Sequence, residues 1–524
     1  MKLTTVLGSV NNNPKYYMFI PKQILFWGAF NIKFIAIFVG EEIPEELISY
    51  KDNIILWNFN LDINTAYVAQ NIRIYYPALL NLPENEMVMI TDMDMLPMNY
   101  PYYTNDLESY KIEDFIYYRH IDKNEIYMCY NASHPSTWKK IFGINGITDI
   151  KNKLYENYSN KYDGVPGCDG WSIDQKILYK QLINYPNLRV LNRPIKRLEM
   201  YNWCYNLSIF DYDDAHFHRN YFNNIKFIKE AEKQLNAKYI SINDYVFDEK
   251  EVITNDKFLE LSKKYHEMSY IKIDSLVDSR QINWRGLIHP IPFPPKNKII
   301  ISGHSDYTVD ENLYEKFKNC SIYWCSVNMN LPDSYDKILK LPLGITNYCN
   351  DSNIHKIYGD TNIMKQVLSE NNDIKRKCIY LNINVESYPK ERKQVYDIFS
   401  EKPFVTLGKI DSSLEGRKTF LRDIKEHKFV LCPRGNGIDT HRLWETLYMK
   451  SIPILLANQV HSNLQDLPIL FINSWDELKN FDENYYTNLY DNFMSKKWNI
   501  NKLNVSYWCN EITKWNMNIS RLQI

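Results

Sequence analysis

Glu86-Met87-Val88-Met89-Ile90-Thr91-Asp92-Met93-Asp94-Met95-Leu96-Pro97-Met98-Asn99-Tyr100 is the stretch on which the fold turns. Residues 87–90 form a short continuous apolar run, the pattern of a strand buried on both faces. The run ends in Thr91-Asp92-Met93-Asp94, and Pro97 is expected to block further strand pairing. Two carboxylates one residue apart, at the end of a buried strand of an α/β sheet, lie where such sheets bind ligands. Hard oxygen ligands at that place suit Mg²⁺ or Mn²⁺ bridging a diphosphate. The competing reading is a solvated turn with two acids, and the surrounding sequence decides between them.

At 524 residues the chain is too long for one core and suits two or three domains. Hydrophobic residues at 45% and charged residues at 24% are ordinary for a soluble globular protein. A net charge of −1 offers no basic field for nucleic acid. The nine cysteines form no Cys-x-x-Cys pair and no metal-ligand spacing with histidine, so a reduced, cytosol-like compartment is expected. Met1-Lys2-Leu3 runs straight into a strand pattern without a secretory leader. The most apolar stretch, residues 18–40, is interrupted by Pro21, Lys22, Asn31 and Lys33, which argues against a membrane span. A cytoplasmic protein without a transmembrane segment is the expectation.

Residues 3–10 read as a first strand, 16–31 as a helix, and 33–39 and 53–57 as further strands; this alternation predicts a mostly parallel sheet with crossover helices. Residues 64–82 read as a helix carrying Arg73 just ahead of the acidic strand. Residues 126–133 read as a strand turning into a loop. A Gly-rich loop over 162–170, containing Asp169, runs into a helix start at Trp171-Ser172-Ile173-Asp174-Gln175. Asp174 could simply complement that helix dipole. His216 and His218 alternate as on a strand, so at most one is expected to face a metal.

These features come in the order of an initial β-α-β, the Asp92/Asp94 pair, a Trp171-x-x-Asp174-Gln175 helix and a late histidine. Together they resemble the GT-A glycosyltransferases, in which the Asp-x-Asp pair holds the metal and ribose of a nucleotide-sugar. The resemblance implies Mn²⁺ or Mg²⁺ on Asp92, Asp94 and His216, and donor contacts at Asp92 and Arg73. It also implies a catalytic or acceptor-binding carboxylate at Asp174, with Asp169 as the competing acid, and Trp171 stacked on a sugar ring.

Residues 222–264, rich in Lys, Glu, Asn and Asp, read as a helical connection. Alternation then resumes, with strands over 298–302, 320–327, 377–383 and 404–407, helices over 310–319, 390–400 and 416–425, and a turn over 340–345. A second signature follows: Phe429-Val430-Leu431-Cys432-Pro433-Arg434-Gly435-Asn436-Gly437, then a helix from about Asp439. Backbone N–H groups at such a helix start favour phosphate, and Arg434 can pair with it bidentately. Asp439, Arg442 and Glu445 fall near one helix face, with Glu445 placed to accept both ribose hydroxyls. Leu443, Trp444, Leu447 and Tyr448 form the buried face. His304 or Asp306, after the 298–302 strand, are candidates for a general base, though a turn capped by Asp306 reads equally well.

The run Cys432-Pro433-Arg434-Gly435…His441-Arg442-Leu443-Trp444-Glu445…Ser451-Ile452-Pro453-Ile454 resembles the exostosin-like GT-B glycosyltransferases. That resemblance implies donor binding by Arg434, Gly435, Asp439, Arg442 and Glu445 without a metal. The expected fold is thus α/β: a GT-A nucleotide-sugar-binding domain (1–235), a helical connecting segment (236–270), and a GT-B-like domain of two Rossmann-like units (271–524). The expected function is a bifunctional glycosyltransferase that takes UDP- or GDP-sugars to a glycan or glycoconjugate acceptor, with no nucleic-acid partner. Three rivals stand beside it, the least favoured being a non-enzymatic structural protein, which would leave the acid, metal and phosphate sites unexplained. One domain could be a degenerate glycan-binding module. The N-terminal half could instead be a sugar nucleotidyltransferase, a class that opens on a basic Gly-rich phosphate loop, which Gly8-Ser9-Val10-Asn11-Asn12 lacks.

Overall fold

The computed structural model describes all residues except 60–61, 160–161, 163, 165–169, 205–206, 219, 274–297, 336, 371–375 and 523–524. The protein is a mixed α/β fold with several parallel sheets, divided into two compact units, Met1–Ala237 and Lys238–Ile524.

The first unit contains β1 (Lys2–Asn11), β2 (Lys33–Val39), β3 (Ile54–Trp57), β4 (Glu86–Ile90), β5 (Met95–Pro97), β6 (Phe115–Tyr117), β7 (Asn131–Ser133), β8 (Leu188–Val190), β9 (Arg197–Glu199) and β10 (Asp214–His216). Seven of these make one sheet in the order β3-β2-β1-β4-β7-β6-β8. β1 pairs in parallel with both β2 and β4, so Val6 sits between Phe34 and Met89. The chain therefore builds outward to β3 and then returns to the other side of β1, which makes the β1/β4 boundary a topological switch point. Met87, Val88, Met89 and Ile90 are all buried, as expected of a central strand.

Three local expectations change. Residues 16–31 split into a short helix, Pro14–Tyr17, and α1 (Ile20–Ala29), because Pro21 lacks the N–H a continuous helix would need and starts a new one. Pro97 does not prevent pairing: β5 pairs antiparallel with β10, opposite Asp214. β5 is the edge of a three-stranded sheet ordered β5-β10-β9, where a missing donor is tolerated. The strand expected over 126–133 is confined to β7. Its first residue, Asn131, donates its side-chain amide to the carbonyls of Tyr127 and Met128 in the preceding segment. Helices α2 (Thr65–Ile72) and α3 (Ile173–Leu182) bear on the site.

The second unit holds two fully parallel sheets. β11 (Met268–Lys272), β12 (Lys298–Gly303), β13 (Ser321–Ser326) and β14 (Ile338–Lys340) lie in sequence order. β15 (Lys377–Leu381), β16 (Val405–Leu407), β17 (His427–Leu431), β18 (Ile452–Leu456) and β19 (Leu470–Ile472) are ordered β16-β15-β17-β18-β19, with a switch point between β15 and β17. Helices α4 (Leu414–Glu426) and α5 (His441–Tyr448) flank this second sheet. Leu443, Trp444, Leu447 and Tyr448 are buried in the core, as the helical phase of α5 predicts. Among the described residues no helix is long and apolar enough to cross a membrane.

Candidate functional site

In the first unit a cavity of about 800 Å³ opens at the C-terminal ends of β1 and β4, within the range of about 300–1,000 Å³ typical of ligand pockets. Ser9, Val10 and Asn11 line it from β1, and Asp92 and Asp94 from the turn after β4. Gln23 on α1 holds that turn. It is fully buried, and its amide N–H₂ donates to the carbonyls of Met93 and Met95 (2.8 Å each) and of Asp92 (3.2 Å). Its own carbonyl accepts the Trp27 indole N–H at 2.9 Å.

Arg73, at the C-terminal end of α2, is buried and bridges two acids: Nη1 lies 2.6 Å from Asp92 Oδ1 and Nη2 lies 3.1 Å from Asp174 Oδ2. Burial works against the Arg73 charge, but the two carboxylates outweigh it and hold its pKa above the ordinary value. Asp174, in the first turn of α3, is 1% exposed, and burial pushes its pKa up to about 6 despite Arg73. Gln70 donates to Asp174 Oδ1 (3.1 Å) and to the carbonyl of Trp171, which also lines the cavity. Asp169 lies outside the described residues.

Across the cavity, His216 Nε2 is 3.6 Å from Asp94 Oδ2 and its Nδ1 is 3.3 Å from Glu199 Oε2. Burial disfavours the His216 imidazolium, yet Asp94 and Glu199 hold its pKa above that of an ordinary histidine. His218 Nε2 lies 2.6 Å from the same Glu199 oxygen, and the two imidazoles are 4.2 Å apart. One ligand atom from each of Glu199, His216 and His218 falls within 4.8 Å of the others, a grouping able to hold a metal ion. The expectation that only one histidine could face this point is overturned. Residues two apart on a strand share a face, so the spacing of His216 and His218 itself allows both to reach this point; His218 lies two residues past the end of β10 with a φ of +32°. Glu199, brought in by β9 pairing with β10 (His216 opposite Glu199), had no sequence signal.

In the second unit a cavity of about 360 Å³ lies at the ends of β15 and β17. Gly435, Asp439, Arg442, Glu445 and Asp306 line it. Arg434 does not: its guanidinium stacks 4.3 Å over the Tyr388 ring and donates to the Asn436 carbonyl. Glu445 is 4% exposed and paired to the fully buried Arg417 at 2.7 Å. Asp439 is also buried, accepting the N–H of Leu343 and the indole N–H of Trp444. His304 stands outside the cavity lining with both ring nitrogens engaged, one by the Tyr270 hydroxyl and the other by Asp256.

The cations that do face this cavity are Arg442, Lys409 and Arg392. Arg392 is buried, donates to the carbonyls of Arg434 and Asn384, and is pushed down to about 10 by burial and by Arg442. Among the described residues neither Arg392 nor Arg442 forms an ion pair. Arg392 was missed, although the helix Pro389–Phe399 follows β15 just as α5 follows β17. Two uncompensated guanidiniums at a sheet's switch point can bind an anion such as a phosphate.

No family model matches the chain, and no curated protein matches it. Among solved structures it is similar to the galactosyltransferase LgtC in complex with donor and acceptor sugar analogues, at 8% identity and a TM-score of 0.27, over 44% of this chain and 96% of that one. It is similar to the glycosyltransferase GlyE of Streptococcus pneumoniae TIGR4, at 10% identity and a TM-score of 0.29, over 94% of this chain and 100% of that one. It is also similar to an alpha1,3-fucosyltransferase, at 16% identity and a TM-score of 0.25, over 38% of this chain and 63% of that one. All three are glycosyltransferases.

Proposed function

We propose that the chain is a glycosyltransferase with two donor sites, a metal-dependent GT-A-type site in the first unit and a metal-independent GT-B-type site in the second. The observation that carries the reading is the convergence of Asp92, Asp94, Arg73, Asp174 and His216 on one cavity at the β1/β4 switch point. Carboxylate oxygens and imidazole nitrogens gathered there suit Mn²⁺ or Mg²⁺: Glu199, His216 and His218 bring one ligand atom each within 4.8 Å of the others, and Asp94, 3.6 Å from His216, with Asp92 would join them when the ion binds. When bound, such a cation neutralises the departing nucleoside diphosphate. Arg73 orients Asp92 and Asp174 toward the cleft. Asp174, with its pKa near 6, is matched to taking a proton from an acceptor hydroxyl.

In the second unit Arg392, Arg442 and Lys409 hold the diphosphate of a second donor, the role the cation supplies in the first. The donors are UDP- or GDP-sugars and the acceptor a glycan or glycoconjugate. The test is nucleoside-diphosphate release from a panel of such donors, with Mn²⁺ and with EDTA, for wild type, Asp94→Ala and Arg442→Gln. Two independent sites require one donor whose turnover needs metal and Asp94, and another that survives EDTA but needs Arg442. Loss of one donor's turnover in both variants refutes the two-site reading.

A further inference from the structure

The wall of the first cavity farthest from β1 carries a positive charge that nothing in the donor-and-metal arrangement uses. Arg119 follows β6, and Cys129 and Arg197 line the cavity with it. Arg197 is neutralised: its Nε and Nη2 lie 2.8 and 2.6 Å from the two oxygens of the fully buried Asp214. Arg119 is not. Among the described residues its one polar contact is Nη1 to Cys129 Sγ at 3.7 Å, and it lies 4.7 Å above the Tyr127 ring. Among the described residues it forms no ion pair. Asp122, at the edge of that ring, is engaged by the Tyr127 hydroxyl at 3.0 Å. The Cys129 thiol cannot act as counter-charge, because burial pushes its pKa up.

Place along the sheet says what this charge meets. The acid pair follows β4, and β6 lies two strands further from β1, with β7 between them. At about 4.8 Å per strand, Arg119 stands roughly 10 Å along the sheet from the acid pair. That offset carries it past the diphosphate and toward the transferred sugar and the acceptor. An arginine half-buried there, stacked on an aromatic ring and lacking an acid, is preorganised for bidentate recognition of a planar or tetrahedral anion.

We propose that Arg119 binds a carboxylate or phosphate carried by the donor sugar or by the acceptor; this rests on the transferase reading of the first unit. The experiment uses the full chain with Mn²⁺ and measures nucleoside-diphosphate release from charge-matched pairs. One arm pairs UDP-glucose with UDP-glucuronate, UDP-galactose with UDP-galacturonate, and GDP-mannose with GDP-mannuronate. The other keeps the neutral donors and pairs a p-nitrophenyl glucoside acceptor with the glucuronide and with glucose 6-phosphate. The expected result is a preference of tenfold or more in kcat/KM for the anionic member in one arm, which names the source of the anion. Arg119→Gln should erase that ratio and Arg119→Lys should restore part of it. Because the ratio is internal to each variant, a partly unfolded protein lowers both members and leaves it in place. No preference in either arm, or a preference that survives Arg119→Gln, overturns the proposal. Calorimetric titration of UDP and GDP with Mn²⁺ separates the two levels: binding without charge preference defeats the Arg119 inference alone, and no binding defeats the site reading with it.

Discussion

Replacing Gln23 by Met would test whether one buried amide holds the acidic turn in place. The two side chains are similar in length, so the substitution removes hydrogen bonds while changing little volume. It strips the Met93 and Met95 carbonyls of donors at 2.8 Å and the Trp27 indole of its acceptor at 2.9 Å. The more distant Asp92 carbonyl shares the same two hydrogens and is not counted separately. Three buried groups losing a partner at about 1–3 kcal/mol each, with some relaxation, gives roughly 3–5 kcal/mol. That is a large fraction of the 5–15 kcal/mol that about covers a domain's total stability. Gln23→Glu should be worse, since a carboxylate would then face three carbonyl oxygens in a fully buried position. Hydrogen exchange resolved to peptides spanning residues 86–98 reads the loss where it occurs, free of the second unit. Faster exchange there, with weaker Mn²⁺-dependent nucleotide binding, is expected. A change below about 1 kcal/mol in Gln23→Met, with exchange in 91–98 unaltered, would refute the reasoning.

Three further outcomes follow from the same geometry. Asp174 has a folded pKa near 6, above its unfolded value, so its contribution is present at low pH and lost as pH rises from about 4 through 6. Urea unfolding of the first unit should show Asp174→Asn removing a slope worth about 2–3 kcal/mol between pH 4 and 7. Arg417→Met or Glu445→Gln alone leaves a buried charge without its partner at 2.7 Å, costing about 3–5 kcal/mol, whereas the double replacement Arg417→Met with Glu445→Leu should cost far less in thermal unfolding of the second unit. Gly344 has a φ of +70°, and a Cβ there would meet the Ile253 carbonyl oxygen at 2.1 Å, so Gly344→Ala should lower the second unit's urea midpoint by more than any surface glycine replacement.

The central strand of the first sheet was legible because a four-residue apolar run bounded by turn residues is too short for a helix and has the pattern of a strand covered on both faces, and Met87 to Ile90 are buried accordingly. Asp174 was reached through the GT-A resemblance, and the structure joins it to Asp92 through Arg73. The expectation for His218 failed because residues i and i+2 of a strand share a face, which sets its imidazole beside that of His216 rather than opposite it. Arg434 shows the opposite limit. Its charge and loop were visible, but Tyr388, which draws the guanidinium aside, precedes it by some four dozen residues and is placed by a different helix. The same holds for Glu445: its phase on α5 aims it at the cleft, while Arg417 on α4 meets it from behind. Periodicity reports which way a side chain leaves its own element and is silent on what another element brings to meet it.

Arg73 gives the first unit a property no single acid would confer. In the proposed transferase site one guanidinium touches Asp92 on the metal side and Asp174 on the acceptor side, so the two acids share a charge. Any ligand that draws Asp92 away releases Arg73 toward Asp174, and any ligand that engages Asp174 releases Arg73 toward Asp92. Linkage makes such coupling reciprocal: whatever factor nucleotide loading applies to acceptor affinity, the acceptor applies to the nucleotide. Arg73→Lys, which cannot span both acids as a planar fork, should uncouple them.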